Sequence, residues 1–271
     1  MRNRWRTCTR GSTLKSTSDT ALLSTALLAA ANSAPRTVVF LAWTAAALPA
    51  LQTAADAMEG RAGANLPEIL IRDSGYWALV LLQVTLAMSP LRHALACIAR
   101  RSQWRYGKRF SDWNWLIRIR RPAGLASFFY GIAHLAFYVA LDIDFSMREY
   151  ISDLRTKLHI DAGTLSFVLL VPLAVTSTDA WVRRLKRNWK RLHMLVYPAA
   201  IFAVLHFILL SKPGMTSPAW QGMILAVLLG YRVVARLAQG EARNERPDGT
   251  IPERPIRTPV IRLAGEAKHL G

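Results

Sequence analysis

Long apolar segments alternate with short, charged segments along the 271-residue chain. Six apolar runs stand out, each close to the ~20 residues that a helix needs to cross the hydrocarbon core of a bilayer. Proline and glycine occur inside several runs, which membrane helices tolerate because neighbouring helices satisfy the freed backbone groups. The pattern predicts an all-α, polytopic membrane protein with six transmembrane helices. The runs cover residues 36–55, 75–91, 122–141, 162–178, 192–211 and 217–237.

Two polar ends flank the predicted bundle. Residues 1–34 are rich in Ser, Thr and Ala and basic at the start, and residues 239–271 are polar and interrupted by proline. We expect both ends to be disordered, because neither can bury enough apolar surface to offset the entropy lost on ordering. The six-helix domain is therefore predicted to occupy residues 35–238. No internal repeat is visible in the sequence.

Positive charge is distributed unequally between alternate segments. The chain has 35 Lys and Arg, 17 Asp and Glu, and a formal net charge of +18, which in a soluble protein would indicate a nucleic-acid partner. However, 29 of the 35 basic residues lie at or before the start of the first run, in the second and fourth connections, and near the end of the sixth run or after it. The positive-inside rule places these segments in the cytoplasm. The charge thus predicts topology, with both termini cytoplasmic, and argues against nucleic-acid binding and against a soluble helical bundle.

The longest predicted cytoplasmic connection, residues 92–121, is strongly basic and contains several aromatic residues. Trp104, Tyr106, Trp113 and Trp115 are expected at the depth of the lipid headgroups, with the neighbouring cations on anionic lipid. The alternative interpretation of this connection is a docking surface for a flavin or for another protein.

Three histidines lie within the predicted spans, His134 on the third and His193 and His206 on the fifth. Ionisable residues at membrane depth are rare and mark function by default; a hydrogen bond between helices is the alternative. His134 follows Arg121 by thirteen residues and His206 follows Arg191 by fifteen. Both therefore lie about 20 Å above the cytoplasmic edge. Two imidazoles at one depth on facing helices predict axial ligation of a haem.

A second redox centre is predicted near the inner surface, at His193, about 20 Å below His206. No histidine faces it, because the level position on the third span carries Arg120 and Arg121. These arginines are candidates for pairing with haem propionates; the alternative is that they are snorkelling anchors. In an ideal helix His193 and His206 lie about 140° apart around the axis, unless Pro198 kinks it.

The other three histidines call for no functional explanation. His93 is expected at the inner membrane interface, next to Arg92. His159, in an outer connection, and His269, in the C-terminal tail, are expected to be solvated. The sequence contains no C-x-x-C-H, which excludes a covalently attached c-type haem.

Three stretches of the chain carry a family resemblance. They are SPLRHAL from residue 89, RIRRPAGLASFFYGIAHLAFY from residue 118, and LAVTSTDAWVRRLKRNWKRLHMLVYPAAIFAVLHFILLSK from residue 173. Together they resemble the MsrQ (YedZ) family, within the ferric-reductase-like transmembrane group, over about residues 36–238. Members of that family are the haem-bearing membrane subunits of a bacterial system that repairs oxidised methionine in periplasmic proteins.

The resemblance implies an electron-transfer subunit of the bacterial inner membrane, without substrate chemistry of its own. It implies His134, His193 and His206 as the functional histidines, b-type haem and FMN as cofactors, and MsrP, a periplasmic molybdopterin enzyme that reduces methionine sulfoxide, as partner. The polar tail is shorter than the ~50 residues of the smallest domains, so we expect no flavin domain within it. A cytoplasmic flavin reductase or quinol is therefore the expected electron donor.

Two other functions share these sequence features. A stand-alone ferric or quinone-linked reductase would hold the same haems and use a different acceptor. A haem-free transporter or scaffold would use the histidines as proton relays or as packing residues. An optical spectrum of the purified protein, oxidised and reduced, separates the last possibility from the other two, because only a haem protein has a Soret band.

The distribution of Lys and Arg makes a topology prediction that reporter fusions test. Fusions after Asp56, Asp153 and Pro213 should report a periplasmic location, and fusions after Gln103, Lys186 and Gly240 a cytoplasmic one. The physical reason is that basic segments resist translocation across the membrane. An inverted signal at any internal connection would contradict the predicted orientation and the depths calculated from it.

Overall fold

The computed structural model describes residues 29–61, 63–104, 107–211 and 217–244. Within these ranges the regular secondary structure is helical, without a strand. Most of the N-terminal extension, residues 1–28, and most of the polar tail, residues 245–271, lie outside the described residues. The chain divides into two compact units, Met1–Arg232 and Val233–Gly271. In the second unit, the described residues continue a helix that ends at Asn244.

Six of the described helical segments are long and apolar enough to cross a membrane, which confirms the six predicted spans. The long helices are α1 (Pro35–Met58), α2 (Leu66–Arg101), α3 (Asn114–Phe137), α5 (Leu158–Val175), α8 (Val196–Leu210) and α9 (Ser217–Asn244). Two shorter helices, α4 (Met147–Thr156) and α6 (Asp179–Leu185), lie in connections. A third, α7 (Arg187–Leu192), belongs to the fifth span together with α8. The protein is therefore a multi-pass, all-α membrane protein.

The connection between α2 and α3 differs from the prediction, because both helices continue into it. Helix α2 is 36 residues long and ends only at Arg101, so the ordered turn that remains is short. Trp113 is buried within this turn, and its indole Nε1 donates a hydrogen bond of 2.8 Å to the carbonyl of Gly107. Trp113 therefore packs against protein and Trp104 is exposed, and the headgroup depth expected of both stays a prediction. Tyr106 lies outside the described residues.

Gly107 and Asp112 explain why this turn can be so compact. Gly107 has a φ of +89°, a conformation that L residues rarely adopt, and a Cβ atom there would lie 3.1 Å from the Trp113 ring. The Asp112 carboxylate accepts hydrogen bonds from the backbone N–H groups of Gly107 and Arg109. These contacts fix the start of α3, and hence the register in which α3 enters the bundle.

Two antiparallel hairpins, α2–α3 and α5–α8, form the centre of the first unit. Small, fully buried residues at their seams, such as Ala199 and Ala200, let the helix backbones approach closely. Each hairpin has one serine that bonds to the opposing backbone: Ser127 Oγ donates to the carbonyl of Ala78, and Ser166 Oγ donates to that of Ala199. Because consecutive spans alternate in direction, the two hairpins run parallel to each other.

Candidate functional site

His134 on α3 and His206 on α8 face each other across the two hairpins. Their ring centroids are 5.9 Å apart, and the planes of the two rings are inclined by 78°. The two histidines for which counting along the sequence predicts equal depth are thus brought together. One of the two lies on each hairpin, so the pair lies between the two halves of the bundle.

Each imidazole of this pair is held by a hydrogen bond from its Nδ1 atom to a helix carbonyl. His134 Nδ1 lies 2.8 Å from the carbonyl oxygen of Ile71 on α2, and His206 Nδ1 lies 2.6 Å from that of His159 on α5. A carbonyl oxygen can only accept, so each Nδ1 carries the proton and each Nε2 keeps its lone pair. This is the arrangement that orients a histidine for binding a metal through Nε2.

A glycine makes room for each imidazole. A Cβ atom on Gly75 would lie 2.8 Å from the Nδ1 atom of His134, and a Cβ atom on Gly163 would lie 2.8 Å from that of His206. In both hairpins the glycine follows the accepting carbonyl by four residues, which places the two on the same face of the helix. The two hairpins therefore hold their histidines in the same way, although no repeat is visible in the sequence.

The facing imidazoles fit the axial positions of a haem. With ring centroids 5.9 Å apart, the two imidazoles are close enough that both could bind one metal atom through their Nε2 atoms. In the described ranges there is no group of three or more His, Cys, Asp and Glu that would hold a metal by side chains alone. A porphyrin, whose four nitrogens complete the coordination of iron, matches a site with two opposed imidazoles.

A polar network lies on the outer side of the histidine pair. The His159 ring is partly buried, with its centroid 6.1 Å from that of His206, so His159 keeps part of the expected contact with solvent and also lies beside the pair. Asp153 on α4 accepts hydrogen bonds from Lys157 and from the Tyr138 hydroxyl, at 2.9 Å and 2.6 Å. The bonds from Lys157 and then Tyr138 hold the pKa of the Asp153 carboxyl below its usual value. Helix α4 is thereby fixed over the outer end of α3.

His193 lies in a separate site toward the inner end of the fifth span. It belongs to a 3-10 turn, His193–Leu195, that separates α7 from α8, so the fifth span is not one ideal helix. Its ring stacks on Trp189 with centroids 3.9 Å apart, and its Nδ1 lies 3.2 Å from the Trp189 carbonyl. Within the described ranges, no second imidazole stands against it as His206 stands against His134.

The two arginines predicted at this inner depth have different environments. Arg120 turns toward α2, where its Nε lies 3.3 Å from the carbonyl of Thr85 and one Nη lies 3.2 Å from the hydroxyl of Ser89. Arg121 turns outward and forms an ion pair of 2.8 Å with the exposed carboxylate of Asp179. Only Arg120 is thus directed into the bundle near His193, with which it interacts electrostatically.

Comparisons with known proteins identify the family of this chain. Residues 74–204 match the family described as ferric reductase like transmembrane component. The protein-methionine-sulfoxide reductase heme-binding subunit MsrQ of Xanthomonas oryzae pv. oryzae (strain MAFF 311018) is 37% identical over 238 residues, which are 87% of this chain and 98% of that protein. The chain belongs to the MsrQ family. The MsrQ of Xanthomonas axonopodis pv. citri (strain 306) is 42% identical over 181 residues, 66% of this chain and 76% of that protein.

The space that Gly75 and Gly163 leave for the imidazoles predicts that larger residues at these positions weaken haem binding in this MsrQ family member. In Gly75→Ala and Gly163→Ala the added methyl group must displace the imidazole, because it would lie far inside van der Waals contact. Overpacking of this kind costs about 1–3 kcal/mol. We therefore expect roughly tenfold or greater loss of haem affinity in each variant, measured as haem retained per protein during purification.

Gly230→Ala is the matched control for these two variants. Gly230 also lies in a membrane-spanning helix, but a Cβ atom there would meet nothing within 4 Å. This variant should retain haem as the wild type does. Full haem content in Gly75→Ala and Gly163→Ala would show that haem binding does not depend on the space that the two glycines leave beside the imidazoles.

Proposed function

We propose that this protein is a haem-bearing electron-transfer subunit that passes electrons across the bacterial inner membrane to a periplasmic methionine-sulfoxide reductase of the MsrP type. The observation that carries the proposal is the facing pair His134 and His206, each with Nδ1 bonded to a carbonyl and Nε2 free. Membership of a family whose relatives are named heme-binding subunits of a methionine-sulfoxide reductase supports it.

The residues of the outer pair would hold a b-type haem without a covalent link. When bound, the haem supplies a one-electron couple at its iron. The carbonyls of Ile71 and His159 keep both imidazoles in one tautomer and raise their basicity. Both imidazoles are partly buried among the helices, so the polypeptide would set much of the local environment in which the electron is transferred.

The inner end of the fifth span would hold the entry point for electrons. His193 is the candidate ligand there, thirteen residues before His206, or about 20 Å along helical chain. Its ring stacks on Trp189, and within the described ranges it would be the one histidine that holds an inner centre. FMN as a second cofactor rests on the family resemblance alone, as do a cytoplasmic flavin reductase or quinol as the donor.

The proposed direction of transfer, toward the periplasm, follows from the predicted orientation. With the basic segments in the cytoplasm, the His134–His206 pair lies in the outer half of the membrane. Helix α4 and the network at Asp153 would then face the periplasm, where the reductase docks. The reductase carries out the chemistry on methionine sulfoxide, and the membrane subunit supplies it with electrons.

If His134 and His206 hold one haem, His134→Ala and His206→Ala should each abolish its low-spin optical spectrum. A haem held by two axial imidazoles is low-spin, and each substitution removes one of the two. Both variants should therefore lose the low-spin b-type spectrum, and both should fail to pass electrons to an MsrP-type reductase supplied with methionine sulfoxide. The measurements are the reduced-minus-oxidised optical spectrum and the reoxidation of the reduced protein by the reductase.

His93→Ala is the control, because His93 lies at the inner end of α2 and packs on Phe110 and Tyr231. It should keep the spectrum and the transfer rate of the wild type. A complete low-spin spectrum in either His134→Ala or His206→Ala, in folded protein, would refute the pairing. Rapid reduction of ferric chelates with no transfer to the reductase would instead identify a stand-alone ferric reductase.

A further inference from the structure

Two arginines from different helices converge on one short segment of α2. Arg120 on α3 bonds to Thr85 and Ser89. Arg232 on α9 donates from one Nη to the carbonyl of Leu86, at 2.7 Å. Both guanidinium groups therefore bind within the five-residue segment 85–89 of α2. Both lie in the inner half of the bundle, on the same side as His193.

The position of Arg232 has a local cause in the sequence of α2. Pro90 has no N–H, so the carbonyl of Leu86 lacks its usual helical donor. Arg232 supplies that donor from the neighbouring helix, and its other Nη donates to the Tyr197 hydroxyl at 2.7 Å. Its Nε is buried and has no hydrogen-bond partner among the described atoms.

Neutral oxygens accept hydrogen bonds from both arginines, and the guanidinium carbon of Arg232 lies 5.1 Å from the centroid of the Tyr197 ring. Neither positive charge is balanced by a carboxylate of the described residues. The ion pairs of the described residues involve other cations, among them Arg121 with Asp179, and none joins a carboxylate to Arg120 or Arg232. Charged side chains at membrane depth are costly unless they are paired. Two like charges held together raise that cost, so the structure calls for an anion at this point.

Snorkelling does not explain these two arginines. A snorkelling side chain extends along its own helix to place its charge in the headgroup region. Arg232 instead reaches the carbonyl of Leu86, a residue with 1% exposure in the centre of the bundle. Arg120 likewise bonds to backbone and hydroxyl oxygens of α2. Both charges are thus directed between helices.

We propose that Arg120, Arg232 and the Tyr197 hydroxyl form a binding site for an anionic group, a carboxylate or a phosphate, at the inner side of the bundle. Three molecules have this chemistry at this depth: a haem with its propionates, FMN with its phosphate, and a phospholipid. Arg232 is the new member of the site, and Arg121, already paired with Asp179, does not belong to it. The inference goes beyond the proposed function and is independent of the outer histidine pair.

Substitution of the two arginines tests this site, with Arg121→Gln as the matched control. Haem, FMN and phospholipid retained per protein are measured after purification of Arg120→Gln, Arg232→Gln and Arg121→Gln. A charge-assisted hydrogen bond to a buried anion is strong, so each of the first two variants should bind the ligand about tenfold or more weakly. Arg121→Gln should retain all three molecules as the wild type does.

The molecule that is lost identifies the source of the anion. Loss of haem assigns a propionate, loss of FMN assigns its phosphate, and loss of phospholipid alone assigns a lipid headgroup. Each of these outcomes supports the site. If folded Arg120→Gln and Arg232→Gln retain all three molecules at the wild-type level, the site does not exist.

Ser89→Glu provides a second test that does not remove a charge from the bundle. Ser89 lies within hydrogen-bond distance of Arg120, so a glutamate there can pair with the arginine and compete with the ligand. The variant should lose the ligand and keep the thermal unfolding temperature of the wild type. If Arg120→Gln and Arg232→Gln both fail to fold, the test rests on Ser89→Glu. Retention of haem, FMN and phospholipid in folded Ser89→Glu overturns the proposal.

Discussion

Each imidazole of the central pair donates its Nδ1 proton to the carbonyl of a neighbouring helix, and the rest of the site depends on these two hydrogen bonds. A histidine placed in a dry bundle without a partner would lose several kcal/mol of hydration. The carbonyls of Ile71 and His159 replace that water and at the same time fix the tautomer. The glycines at positions 75 and 163 bring the ring close enough for the bond to form. One interaction thus keeps the imidazole neutral, oriented and available at Nε2.

Both hairpins hold a histidine by an Nδ1–carbonyl hydrogen bond at the side predicted to be outer. The hairpins differ at the side predicted to be inner. In the α5–α8 hairpin, His193 precedes His206 by thirteen residues; in the α2–α3 hairpin, the residue thirteen before His134 is Arg121, with Arg120 beside it. The outer half is therefore built for two like ligands, one from each hairpin. The inner half combines an imidazole from one hairpin with a cation from the other. This asymmetry fits the proposal that electrons enter from one partner and leave to another.

Counting along the sequence predicted a large part of this arrangement. Span length gave the six membrane helices, and depth from the nearest charged residue brought His134 and His206 to one level, because both quantities depend only on the rise per residue. The hydrogen-bond partners of the two imidazoles were not predictable from the sequence. They are backbone carbonyls, and every residue has one. Gly75 and Gly163 carry a signal in their equal spacing from Ile71 and His159, but it is visible only once the hairpins are aligned in space.

Other features depended on contacts between distant segments. From the sequence, Arg120 and Arg121 are equivalent candidates for pairing with propionates. The packing distinguishes them, because Arg120 contacts α2 and Arg121 pairs with Asp179. Arg232 was not noticed, because a basic residue near the cytoplasmic end of a span has an ordinary explanation in the positive-inside rule. Its significance comes from Pro90, which lies on another helix and frees the carbonyl that Arg232 binds.

The orientation of the two imidazole rings tests the central claim most directly. The ring planes of His134 and His206 are inclined by 78°, and the Nδ1 bonds hold them in that orientation. Nearly perpendicular axial imidazoles leave two iron d orbitals close in energy, which gives ferric low-spin haem a strongly anisotropic electron paramagnetic resonance signal. The account predicts this signal in the oxidised, purified protein. A rhombic low-spin signal, typical of parallel imidazole planes, or a purely high-spin signal would contradict it.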